Sequence, residues 1–103
     1  MNTLDEIDHI AIVVADLKQA SYWYKTSFAC EPISEGKTET ILRFRNIKIS
    51  LVLPSQQKAH VAYLRSDAAA FGELRPKSDG SLSTFVSDPT GNIVEIVQTR
   101  EST

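Results

Sequence analysis

The sequence predicts one α+β domain built from two similar modules that share a sheet or barrel. Its 103 residues suit one compact domain and leave no room for a second independent core. Short β-branched stretches alternate with helical and turn patterns. The stretch "DHIAIVV" (Asp8 to Val14) is echoed by "AHVAYLR" (Ala59 to Arg65), which sets His9 over His60 and Ala11 over Ala62 at a spacing of 51 residues. Two copies are too few for a solenoid, so paired modules within the single domain 1–103 are expected, the first over about 7–54 and the second over about 59–99.

Each element has a local reason. Ile7 to Ala15 is rich in β-branched residues and reads as a strand. Asp16 then caps a helix whose stripe is Leu17, Ala20, Tyr24 and Phe28. Glu31 to Lys37 is polar, with Pro32 and Gly36, and reads as a connector. Thr38 to Arg45 and Ile47 to Leu53 are strands separated by Asn46, and Pro54 ends the second. The order then restarts with Ala59 to Arg65 as a short strand and Asp67 capping a weak helix that carries Phe71 and Leu74. Ser78-Asp79-Gly80 is a turn, Leu82 to Val86 a strand, and Asp88-Pro89-Thr90-Gly91 a turn with proline at a favoured second position. The last strand is Asn92 to Gln98.

Composition narrows the function. The chain is 42% hydrophobic and 23% charged with net charge -2, and it has no basic tract, so a nucleic-acid partner is not expected. The polar, acidic start lacks the pattern of a secretory signal, and the longest apolar run, Ile10 to Ala15, is too short to span a bilayer, so a cytoplasmic location is expected. Cys30 is the one cysteine; it can form no internal disulfide and supplies no paired-cysteine metal pattern.

The chemistry-bearing residues lie on strands. Glu95 stands between Ile93-Val94 and Ile96-Val97, and an ionised carboxylate out of water costs several kcal/mol, as an order of magnitude, unless it is paired. Glu95 therefore faces either solvent or a partner. Alternation puts His9 with Ala11 and Val13, and His60 with Ala62 and Leu64. The two histidines, the only ones in the chain, thus open equivalent strands beside a small residue. Two imidazoles and one carboxylate suit a divalent metal with positions left open for water or substrate. A dication beside Glu95 would also offset its burial.

The stretches "IDHIAIVVADLKQASYWY" (Ile7 to Tyr24), "HVAYLRSD" (His60 to Asp67) and "DPTGNIVEIV" (Asp88 to Val97) resemble the vicinal oxygen chelate superfamily, which includes glyoxalase I, methylmalonyl-CoA epimerase, the fosfomycin-resistance enzymes and the extradiol dioxygenases. The resemblance covers nearly the whole chain. It implies paired βαβββ modules whose mixed sheet curls into a cup-shaped site, a bound divalent metal (Zn, Ni, Mn or Fe) and a homodimer. It places the metal on His9, His60 and Glu95. The fourth family position, a carboxylate or amide in isomerases, falls on Ser50, or on Ile49 if the echo of Asn46-Ile47 with Asn92-Ile93 sets the register.

If Ser50 is the equivalent of Glu95, then Lys48, Ser50 and Val52 face inward, joined by either Arg43 and Arg45 or Leu42 and Phe44 from the neighbouring strand. Lys48, Ser50 and Arg43 are the candidate substrate contacts. The expected function is a metal-dependent enzyme of lyase or isomerase type, acting on a small molecule that chelates the metal through vicinal oxygens. The alternatives are a non-catalytic small-molecule binding protein of the drug-resistance kind, or a fosfomycin-type transferase or dioxygenase. Ala11 replaces the threonine of the fosfomycin enzymes, and both histidines are already used as ligands, which disfavours a dioxygenase.

Overall fold

The computed structural model describes residues 4–77 and 79–99. Its elements are β1 (Glu6–Val13), α1 (Leu17–Ser27), β2 (Glu31–Glu35), β3 (Glu39–Arg43), β4 (Lys48–Val52), β5 (His60–Arg65), a single 3-10 turn (Ala68–Ala70), β6 (Arg75–Pro76), β7 (Leu82–Ser87) and β8 (Ile93–Gln98). The strands are mixed parallel and antiparallel, ordered β2-β3-β4-β1 in the first half and β5-β8-β7-β6 in the second. No helix of the described residues is long and apolar enough to cross a membrane. The described residues divide into two compact units: His9–Ala59, and residues 4–8 together with 60–77 and 79–99.

In the His9–Ala59 unit, β1 runs parallel to β4 and β3 antiparallel to it. Register sorts the side chains into two faces. Ile12, Leu51 and Thr40 lie across from one another on one face, with Ile10, Ile49 and Leu42 beside them. Leu42 and Leu51 are fully buried, and α1 packs on β3 and β4. The opposite face carries the rows His9, Lys48, Arg43 and Ala11, Ser50, Ile41. Asp16 caps α1 as expected, its carboxylate accepting the backbone N–H of Gln19 at 2.9 Å. The helix ends at Phe28, whose ring meets those of Trp23 and Phe44 edge-on at 5.9 and 6.4 Å. Tyr22 and Trp23 are exposed.

In the other unit β5 runs parallel to β8, and β7 pairs with β8 antiparallel. Here Ala62, Glu95 and Phe85 form one row. Asp67 does not cap a helix. Its carboxylate instead accepts from Arg65 Nε at 2.8 Å and Nη2 at 3.0 Å, a fork that holds the Asp67 carboxyl below its ordinary range, and only one 3-10 turn follows. Two strands were not expected. Both β2 and β6 are fully exposed edge strands that contain a proline, so neither shows the alternation of a half-buried strand. Of the expected turn at Ser78-Asp79-Gly80, Ser78 lies outside the described residues; Gly80 takes φ 88° and its N–H donates to Lys77 O at 3.0 Å.

The turn before β8 closes around Asp88. Its carboxylate accepts the Asn92 amide side chain at 2.8 Å and the backbone N–H groups of Asn92 and Thr90 at 2.9 and 3.0 Å, while Gly91 supplies φ 97°. These bonds, that to the Asn92 side chain foremost, lower the Asp88 carboxyl from 3.8 to about 2. A depressed folded-state value stabilises the fold fully above the unfolded value and ceases to as pH falls through the folded one. Thermal unfolding of Asp88→Ala should therefore show a deficit against the wild type that is constant from about pH 5 to 7 and shrinks between about pH 4 and 2. A deficit independent of pH would contradict this.

Candidate metal centre

The site begins with a buried pair. Glu95, in the middle of β8, is fully buried, and His60, opening β5, is 6% exposed. Glu95 Oε1 lies 3.0 Å from His60 Nε2. Its other oxygen, Oε2, accepts from Lys77 Nζ at 2.7 Å. So Glu95 faces partners, not solvent. Across the ladder from Glu95, Phe85 sets its ring edge-on to the His60 imidazole, with centroids 5.2 Å apart and planes at 84°. Half of Phe85 remains exposed.

His9 is buried on β1, in register with Lys48. His9 occupies in its unit the repeat-equivalent place of His60, 51 residues on, and so is the counterpart imidazole to the His60–Glu95 pair. The donor chemistry fits a divalent ion. Two donors held cis at about 2.1 Å from one ion stand roughly 3 Å apart, the separation that His60 and Glu95 already have.

The internal registers settle which residue is equivalent to Glu95. Ala11 pairs with Ser50 in one unit, and its echo Ala62 pairs with Glu95 in the other. Ser50, not Ile49, is therefore the counterpart. Ser50 is buried, and its hydroxyl donates to the Glu39 carboxylate from the neighbouring strand β3. A carboxylate thus stands beside the position where the equivalent strand supplies Glu95.

Lys48 lies on the His9 row, and Arg43 faces Lys48 across the β3–β4 ladder. Arg43 is exposed and paired with Glu31, and it lines a cleft of about 430 Å³ with Cys30, Phe44 and Arg45. Of the two alternatives for β3, the register puts the Arg43 row, with Ile41 and Glu39, on the face of Lys48 and Ser50.

Three residues escaped the sequence reading: Lys77, Glu39 and Phe85. Glu39 shares the parity of Arg43 along its strand, so strand alternation could have raised it. Phe85 could have been placed only with the β7–β8 register in hand. Lys77 follows a two-residue edge strand and carries no periodic signal.

By sequence, neither the protein families nor the curated proteins compared with the chain match it. Solved structures do. A variant of methylmalonyl-CoA epimerase from Streptomyces coelicolor, in complex with 2-nitronate-propionyl-CoA, is 20% identical over 96% of this chain and 100% of its own, with a TM-score of 0.76. Methylmalonyl-CoA epimerase from Mycobacterium tuberculosis is 20% identical over 93% and 89%, with a TM-score of 0.73. A glyoxalase/bleomycin resistance protein/dioxygenase superfamily member from Vibrio splendidus is 13% identical over 93% and 100%, with a TM-score of 0.67. With a βαβββ first half, a second half that carries a 3-10 turn in place of the helix, and these neighbours, the chain has the vicinal oxygen chelate fold.

Proposed function

We propose that the protein is a divalent-metal-dependent enzyme of isomerase or lyase type that moves a proton next to a carbonyl or carboxylate of a small molecule. The observation that carries this is the buried pair of His60 and Glu95, 3.0 Å apart, with a buried His9 at the repeat-equivalent place of His60. These three residues would hold the ion. When bound, a divalent ion polarises a substrate oxygen as a Lewis acid. Glu39 is the proton-transfer group in this reading, held by the Ser50 hydroxyl on the face that carries His9. Lys48 and Arg43, on the same face, favour an anionic substrate. Phe85 forms an apolar wall against His60.

The epimerase neighbours suggest acyl thioesters of coenzyme A as the first substrates to try, beside diketones and hydroxy acids. Deuterium exchange in heavy water, followed by NMR on protein loaded with Co, Ni, Mn or Zn, tests the reading. Exchange of an α-hydrogen is expected with at least one substrate class. Glu39→Gln should slow it by about 100-fold or more while leaving the metal stoichiometry unchanged. Metal uptake with no exchange across the panel would contradict the enzyme reading. It would favour a binding module, a second reading supported by Lys77, whose ammonium donates to Glu95.

A further inference from the structure

We infer that Lys77 is a built-in counter-cation and positioning residue for Glu95, one that shapes the carboxylate for metal before any metal arrives. The ligand part of this inference rests on the metal reading above; the counter-cation part does not. Glu95 is fully buried, and each of its oxygens has a different partner: His60 Nε2 at Oε1 and Lys77 Nζ at Oε2. The carboxylate of a metal ligand can swing between one-oxygen and two-oxygen binding. An ammonium fixed on Oε2 removes that freedom and leaves Oε1, the oxygen beside His60, as the one presented to an ion.

Lys77 is itself anchored. Its backbone N–H donates to Ser81 O at 2.7 Å and its carbonyl accepts the Gly80 N–H at 3.0 Å, so the β6–β7 connection holds its Cα in place. The side chain is 31% exposed, whereas that of Glu95 is 1% exposed. Lys77 can therefore reach water if the pair is broken, and Glu95 cannot. The burden of a broken pair falls on the carboxylate.

Thermal unfolding of chelator-treated full-length protein tests the assignment, using Lys77→Met, Lys77→Arg, and Lys77→Met combined with Glu95→Gln. Lys77→Met should lower the melting temperature by about 10 °C, and Lys77→Arg by less than half of that. Removing the stranded charge in the double variant should recover at least half of the loss, which a packing role for Lys77 would not produce. An unchanged melting temperature in Lys77→Met, or no recovery in the double variant, would overturn the assignment.

A Co²⁺ titration read by its visible absorption adds the ligand arm. The Lys77→Met band should shift in position and intensity as Glu95 engages through both oxygens, and Lys77→Arg should keep the wild-type band. Identical bands in wild type and Lys77→Met would overturn the positioning role. Absence of any Co²⁺ band in the wild type would instead defeat the metal reading, while the chelated melting data would still decide the counter-cation role.

Discussion

Glu95→Ala is expected to destabilise the chelated protein by about 3 kcal/mol and to weaken divalent-metal binding by at least 100-fold. Two contacts of the buried carboxylate are lost at once. The His60 imidazole, buried beneath Phe85, loses the oxygen 3.0 Å from Nε2, and Lys77 loses the acceptor 2.7 Å from Nζ. Breaking a buried ionic pair by removing one partner costs on the order of 3–5 kcal/mol. The low end applies because the Lys77 side chain already touches water. Urea unfolding of the variant, with and without Co²⁺, checks both parts. A stability change below about 1 kcal/mol would mean that the buried network contributes little, and retained affinity would exclude Glu95 as a ligand.

Leu51→Ala should cost a similar amount for a different reason. Leu51 is fully buried on β4, between Ile12 of β1 and Thr40 of β3, on the face whose Leu42 is also fully buried. Deleting its side chain leaves a cavity that strands paired on both sides cannot close, and such changes cost about 2–5 kcal/mol. Leu51→Met, which keeps the volume, should lose less than about 1.5 kcal/mol. Equal losses in the two variants would argue against close packing at this position. Because Leu51 points away from the row of Ser50 and Ala11, metal affinity per folded molecule should be unchanged.

Legibility in the sequence followed burial. The central strands β1, β4, β5 and β8 carry β-branched residues with a readable alternation, and His9, His60 and Glu95 stand out on them as polar residues at positions that must be buried. The internal echo added the equivalence of the two histidines. What could not be read were features set by exposed edges and by register. β2 and β6 are exposed and bear Pro32 and Pro76, so they look like connectors. The second helix failed because Asp67 had a stronger partner than a helix end in Arg65. Lys77 became visible only when its ammonium was placed against Glu95, whereas Glu39, which meets Ser50, was within reach of strand alternation. The Asn-Ile echo suggested one register between the halves, and the ladder pairs of Ala11 with Ser50 and Ala62 with Glu95 chose the other.

His9, His60 and Glu95 are proposed as the ligands of one divalent ion. The most direct test is a calorimetric titration of chelator-stripped protein with Co²⁺, Ni²⁺, Mn²⁺ and Zn²⁺, run beside His9→Ala and His60→Ala. One ion per chain is expected for at least one of these metals, with affinity reduced at least 100-fold in each variant. No saturable binding by the wild type, or equal binding by wild type and both variants, would contradict this assignment.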